Sequence, residues 1–153
     1  MAENLLVVRS QVDQTAGRKS PAAIQNRLRC AVIQSAAAYV APAANDTAGT
    51  KLVLKQGSRI ALPITVSCGA GTAASTLSVG IRDAVTKVAI DATAIVNAAA
   101  INAAATVQVN TGTKCINGQE YYLPQDCEIY LTFAGAAGLA NQQFRVEVPY
   151  IAP

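Results

Sequence analysis

Ser75-Thr76-Leu77-Ser78-Val79-Gly80-Ile81-Arg82-Asp83 sets an apolar side chain at every second position, with small or polar residues between. A period of two belongs to a β-strand with one face toward a core and the other toward solvent. Gln142-Gln143-Phe144-Arg145-Val146-Glu147-Val148-Pro149-Tyr150-Ile151 repeats the pattern near the end of the chain. Glu128-Ile129-Tyr130-Leu131-Thr132-Phe133 repeats it between them. Three such segments in one chain predict an antiparallel sheet buried on one side.

Working outward, Ala84-Val85-Thr86 reads as a turn, and Lys87-Val88-Ala89-Ile90-Asp91 as the returning strand. Lys51–Lys55 is a short strand. Arg59–Ser67 is a strand interrupted by Pro63, which has no N–H for a ladder and so predicts an edge or a bulge there. Leu28 to Val32, continuing through Ser35 to Val40, predicts a long or bulged strand ending near Pro42, and Asn45–Gly49 a loop. Thr106–Asn110 and Tyr121–Leu123 are further short strands. Ala92–Ala105 is the helical candidate: alanine favours helix, and Ile95, Val96, Ala99 and Ile101 fall loosely on one face. Its asparagines limit the expectation to a short helix or irregular coil. About eight or nine short strands at this spacing predict an all-β fold, a jelly-roll or Greek-key β-sandwich.

The chain has 153 residues, enough for one domain with a real core. We assign that domain to 27–153 and read 1–26 as an extended N-terminal arm. Leu5 to Arg9 is a candidate edge strand, Thr15–Pro21 is linker chemistry, and Pro21–Gln25 is a candidate helical turn capped by Ser20. Only 14% of residues are charged and 52% are hydrophobic, much of that alanine. Alanine buries little area, so the core should be thin and finely interdigitated, and so sparse a charge supply predicts a surface covered by partners. Residues 1–30 hold five basic residues, Arg9, Arg18, Lys19, Arg27 and Arg29, against Glu3 and Asp13. The rest of the chain holds seven of each sign. The basic segment thus reads either as solvated charge or as an arm that docks on an acidic protein surface. The basic residues are few and lack interleaved aromatics, so no nucleic-acid partner is expected.

Met1–Asn4 lacks a basic n-region, and Leu5–Val8 is too short for a signal-peptide core, which predicts synthesis in a cytoplasm. No apolar run reaches the roughly 20 residues that span a bilayer, so no membrane partner is expected. Cys30, Cys68, Cys115 and Cys127 form no C-x-x-C pair, and the sequence contains no histidine. A metal site is therefore not expected, and buried free thiols are expected in place of disulfides. Without histidine the commonest general base is missing, together with Ser-His and Cys-His nucleophiles. Asp83 and Asp91 flank a hairpin as a carboxylate pair would, although aspartate at sheet ends is commonly a turn residue. No calcium loop or phosphate loop is present. An enzyme and a cofactor are not expected, and no catalytic residue is assigned. Clustered tyrosines suit either a sugar platform or an interface, and we take Tyr121 and Tyr122 as oligomer-interface candidates. Tyr130 and Tyr150, inside alternating strands, are assigned to packing.

From Gly57-Ser58-Arg59-Ile60 to the end, the chain resembles a family of small virion proteins encoded beside the major capsid protein in tailed bacteriophages. The resemblance is carried by Thr76–Asp83, the alanine-rich middle, Gly118-Gln119-Glu120-Tyr121-Tyr122-Leu123, Glu128–Phe133 and Val146–Ile151. It implies a capsid decoration or cement protein: a β-sandwich on the virion's capsid surface that binds and stabilises the major capsid protein shell. It also implies self-association as a homotrimer. The basic residues Arg9, Arg18, Lys19, Arg27 and Arg29 would then be capsid contacts. A head–tail adaptor or tail component, and a receptor- or carbohydrate-binding module, stay open as alternatives.

Overall fold

The computed structural model describes residues 9–10, 28–116 and 119–153. Among them the strands are β1 (Arg9–Ser10), β2 (Leu28–Gln34), β3 (Thr47–Leu54), β4 (Arg59–Ile60), β5 (Ile64–Cys68) and β6 (Thr76–Asp83). They continue as β7 (Ala89–Ala100), β8 (Ala105–Val109), β9 (Tyr121–Tyr122), β10 (Cys127–Ala134) and β11 (Phe144–Ile151). Every pairing is antiparallel.

One sheet runs β1-β2-β11, after which β11 pairs with β4 at its C-terminal end and with β5 at its N-terminal end. Beyond these lie β9 on β4 and β8 on β5. The other sheet runs β3-β10-β6-β7. Counting β4 with β5, and β8 with β9, as single broken strands leaves four positions per sheet beside the short β1. The strand order is that of a jelly roll, as the alternating sequence predicts. The break between β4 and β5 falls at Ala61–Pro63, and the Leu62–Pro63 peptide is cis. The broken strand lies between β11 and β8/β9, so Pro63 sits in a gap between two strands of the sheet interior and not at the expected edge or bulge.

The layers meet over a core of mostly medium-sized aliphatic side chains. β11 alternates as its sequence predicts, with Phe144, Val146, Val148 and Tyr150 buried. β10 contributes Cys127, Ile129, Leu131 and Phe133. Phe133 and Phe144 meet edge-on with ring centroids 5.9 Å apart, joining the sheets in the favoured T-shaped geometry.

β6 departs from simple alternation, because Leu77 through Ile81 are all buried. Its second face is covered by β7. Between the pairs Val79↔Val96 and Ile81↔Asp91, one residue of β6, Gly80, faces four of β7, residues 92–95, so β7 bulges across its neighbour. Here the predicted helix or coil at Ala92–Ala105 is overturned: β7 holds residues 89–100 and β8 begins at Ala105. Helix propensity is a weak preference, and burial of Ala94, Ile95 and Val96 against β6 outweighs it. Ala98 adopts φ 51° at the distortion, and its N–H donates to Ser78 Oγ at 3.0 Å. The far side of β7 is tied to residues 111–114 through Thr113 N–H to Thr93 O and Lys114 N–H to Ala94 O.

Two further boundaries differ. The strand expected through Val40 stops at Gln34, because the chain leaves the sheet to cross toward β3. β3 begins at Thr47, inside the expected loop, where Thr47, Ala48 and Gly49 pair with Thr132, Leu131 and Tyr130. Of the proposed arm, β1 is described: Arg9 and Ser10 pair with Val32 and Ala31. Of the candidate strand Leu5–Arg9 only Arg9 is described; the linker at Thr15–Pro21 and the turn at Pro21–Gln25 lie outside the described residues.

The β7 bulge makes Gly80 a steric requirement. A Cβ there would lie 2.5 Å from Asp91 O and 2.6 Å from Ala92 Cα, all backbone. Gly80→Ala should lower stability by about 1–3 kcal/mol, the usual cost of overpacking. For a chain of this length that corresponds to a melting point several degrees lower in a calorimetric scan; an unchanged melting point would refute the packing assignment.

Candidate interaction surface

A strand that crosses the sandwich hands the chain to the opposite end, so the connections sort into two clusters. Segments 35–46, 69–75, 101–104 and 135–143 gather at one end. Segments 55–58, 84–88 and 123–126 gather at the other, near the β8–β9 connection.

The first cluster reads Ser35-Ala36-Ala37-Ala38-Tyr39-Val40-Ala41-Pro42-Ala43-Ala44-Asn45-Asp46, Gly69–Ser75, Asn102-Ala103-Ala104 and Gly135–Gln143. Asp46 is its one charged residue, and Asp46 Oδ2 is engaged within the loop by the Ala43 N–H at 2.8 Å. The four segments are fastened together. Gln142, 4% exposed, donates its amide to Gly69 O at 2.9 Å and Ile101 O at 2.6 Å, so one side chain joins three loops. Tyr39 donates its hydroxyl to Gln142 O at 2.6 Å and sets its ring edge-on to Phe144. Tyr39 N–H donates to Asn141 Oδ1, and Gly138 N–H to Pro42 O. Gly71 N–H reaches Asn102 O, and Ile101 N–H reaches Ser75 O. This end is therefore a braced surface. It displays Val40 at 81% exposure and Leu139 at 48% on adjoining segments, among exposed alanines and amides.

The opposite end is dense with charge. Asp126 binds Lys55 Nζ at 2.7 Å and the Gln56 N–H at 2.9 Å, and the Lys55 hydrogen bond leads the effects that lower its pKa. Asp83 accepts the N–H groups of Thr86 and Val85, which lower its pKa in that order, and also the Gln125 amide. Asp83 is thus a turn cap. Asp91 is engaged by Thr93 and Thr113, and neither aspartate is set opposite the other as an acid–base pair.

Glu128 lies between these loops and the middle of the outer sheet face, 1% exposed. It accepts Arg82 Nη2 at 3.0 Å, Arg82 Nε at 3.2 Å, Lys87 Nζ at 2.6 Å and the Lys51 N–H at 2.9 Å. Burial alone would raise its pKa. The Arg82 and Lys87 hydrogen bonds, the Lys51 N–H and the Arg82 charge outweigh burial and hold it at about 2. Arg82 also lies over the Tyr130 ring at 5.5 Å. Gly49 makes room for this group: a Cβ there would lie 3.0 Å from Glu128 Oε1 and closer still to Arg82.

The sequence-predicted site residues fall as follows. Arg29 lies in β2, half-buried opposite Tyr150, so it belongs to the sheet and not to a free arm. Arg9 enters β1 through its backbone, while Arg18, Lys19 and Arg27 lie outside the described residues. Tyr121 is half-buried with Lys114 Nζ 6.0 Å from its ring, and Tyr122 is 61% exposed beneath Arg59 at 5.9 Å. Tyr130 and Tyr150 are buried, as assigned. All four cysteines are free; Cys115 and Cys127 are buried, whereas Cys30 and Cys68 are only half-buried, short of the expected burial. Burial, with the Glu120 charge, pushes the Cys115 thiol up to about 11 and away from thiolate chemistry. Among the described residues no three His, Cys, Asp or Glu side chains converge to hold a metal ion. The uncharged end was not singled out from sequence, although four widely spaced charge-poor segments were its signal.

No protein-family model and no curated protein matches the chain. Among solved structures, it is similar to a chain in the capsid asymmetric unit of cyanophage Pam1, with a TM-score of 0.52 and 16% sequence identity. The match covers 83% of this chain and 84% of that one, so most of each chain is included. At that identity the likeness speaks for the fold.

Two outcomes follow from this geometry. The Glu128 pKa is depressed on folding, so its stabilisation is complete above the ordinary value of 4.5 and is lost as pH falls toward 2. The shift corresponds to roughly 3 kcal/mol. Urea midpoints of the wild type should fall across that window, and Glu128→Gln should be less stable at neutral pH with a shallower acid slope; parallel curves would refute the coupling. Gln142→Leu should cost about 1–3 kcal/mol by leaving two carbonyls unsatisfied, and hydrogen exchange should rise at residues 69–75 and 101–104. Unchanged exchange there would remove Gln142 from its bracing role.

Proposed function

We propose that this chain is a structural protein of a tailed-bacteriophage virion, a decoration or cement protein that binds the major capsid protein shell. The observation that carries the reading is the fold likeness to a cyanophage capsid chain over 83% of this chain and 84% of that one. Independent support comes from the sequence resemblance to small virion proteins and from a jelly roll braced at both ends. On this reading the protein is not an enzyme, and its work is mechanical. Each copy bridges shell subunits, and many modest contacts repeated over a symmetric lattice yield avidity well above the affinity of one.

The basic segment suits the attachment role. Residues 1–30 carry the chain's whole excess of positive charge, and complementary charge speeds and orients docking on an acidic surface. Arg9, Arg18, Lys19, Arg27 and Arg29 are the proposed contacts. β1 brings the start of this segment back to the edge of β2, and Arg29 continues it into the sheet.

The test is co-sedimentation of purified protein with empty capsids carrying the major capsid protein, with copies counted by quantitative gel densitometry. The expected result is saturable binding at many sites over the shell, weakened by added salt. Deleting residues 1–26 should leave the sandwich folded, because the described core begins at Ala31, and should weaken capsid binding. Saturation at a single vertex would replace the reading with a head–tail adaptor, and no binding would overturn it. Undiminished binding of the deletion variant would remove the arm.

A further inference from the structure

We propose that the outer edge of β8 accepts an extended strand donated by the shell protein, uncharged and apolar at every second position. The inference rests on the virion reading above and names the surface and the kind of segment that meet there. A free sheet edge pairs with any strand that reaches it, so proteins cover, charge or distort their edges. Three of the four edges here are managed in this way. β1 lies along β2 at Val32 and Ala31. β3 carries exposed Lys51 at φ 59°, where its register against β10 shifts. β7 is covered over residues 93–97 by Thr113 N–H to Thr93 O, Lys114 N–H to Ala94 O and Asn97 N–H to Thr111 Oγ1. β8, Ala105-Thr106-Val107-Gln108-Val109, has neither charge nor proline, and among the described residues β5 is its one partner strand.

The register fixes which groups the edge offers. Gly69 N–H donates to Gln143 O, so along antiparallel β5 the backbone groups of Thr65 and Ser67 turn toward β11, and those of Ile64, Val66 and Cys68 toward β8. Their partners Ala105, Val107 and Val109 are thereby engaged, and Thr106 and Gln108 direct their N–H and C=O groups outward. The same register decides the side chains of the incoming strand. Val107 and Val109 stand in row with buried Val66 and Ile64, yet Val107 is left 39% exposed, so an apolar residue beside it extends the core. Thr106 and Gln108 stand in row with Ser67 and Thr65, and Thr106 Oγ1 bonds Ser67 Oγ at 3.1 Å, so the alternate positions suit hydroxyls and amides. Neither β8 nor β5 carries a charge, which leaves a charged residue of the donor without a counter-ion. Main-chain bonds then supply affinity, and alternate side chains supply selectivity.

Hydrogen–deuterium exchange of the full chain, free and bound to empty capsids, tests the edge. In the free protein the Thr106 and Gln108 amides should exchange quickly while the Val107 amide, held by β5, exchanges slowly. On the shell the first two should slow at least tenfold. Gln108→Pro removes an outward N–H and leaves the β5 ladder in place, the position at which an edge strand tolerates proline. Val107→Lys sets a charge in the inner row. Each variant should keep the wild-type circular dichroism spectrum and co-sediment with capsids at least tenfold more weakly. Val53→Lys, equally exposed on β3, should bind as the wild type does. Should Gln108→Pro fail to fold, Val107→Lys and the wild-type exchange decide. Full binding by Val107→Lys with no slowing at Thr106 and Gln108 overturns the β8 assignment and leaves the virion reading standing. A wild type that does not bind capsids overturns both. Slow exchange at these two amides in the free protein that is lost on dilution assigns the edge to a second copy and overturns the shell as donor.

Discussion

A strand crossing a two-layer sandwich must deliver the chain to the opposite end, and that constraint sorts the surface of this protein. With the strand order β2-β11-β4/β5-β8/β9 over β3-β10-β6-β7, loops distant in sequence become neighbours. Residues 35–46, 69–75, 101–104 and 135–143 meet although 22, 25 and 30 residues separate each from the next, the length of a return trip across the sandwich. The chemistry of each loop is weak alone. Their convergence produces a cap whose one charged residue is Asp46, and the same alternation gathers Lys55, Asp83, Lys87 and Asp126 at the other end.

The scarcity of large side chains imposes a second order on the structure. A core built largely of alanine, valine and isoleucine stabilises each residue only modestly, since burial scales with apolar area. Close approach of backbones offsets this: β7 folds over Gly80 with no room for a methyl group, and Gly112 lies equally close to Ile95. On the outer face of the second sheet, Glu128 is removed from water only because Arg82, Lys87 and the Lys51 N–H satisfy it together. A buried ion group of this kind adds little against a well-packed apolar replacement, but losing one partner is costly. Its value here is positional, since it locks β3, β6 and β10 in register beneath the turn at Lys87.

β6, β10 and β11 were legible in the sequence because large apolar side chains recur toward the core at every second residue, although only β11 alternates in burial, β6 and β10 being buried on both faces over 77–81 and 127–131. β7 was not. Ala92–Ala100 shows neither clean alternation nor a clean helical face, because its bulge places buried Ala94, Ile95 and Val96 in succession. The extension of β3 to Thr47 was hidden for a related reason: Asn45, Asp46 and Gly49 are turn-like residues, yet Gly49 serves by making room for the Arg82–Glu128 pair. Asp83 could be read as a turn residue because its partners lie two and three positions away. The bracing roles of Gln142 and Tyr39 could not, since Gln142 bonds loops some forty and seventy residues distant. What remained visible was the lack of charge in each segment, which has meaning only once the fold assembles them.

The two ends then suit different physical tasks. Charged loops and a basic leading segment favour a partner of different composition, because complementary potentials steer encounter and fix orientation. A neutral, braced cap offers no such steering, but it has little loop entropy left to lose on contact. The two surfaces lie at opposite ends of one sandwich. The jelly roll supplies that separation, because its strands keep the loop clusters a full strand length apart. Polarity of charge along the strand axis, rather than any single residue, is thus the feature that joins this fold to its proposed work.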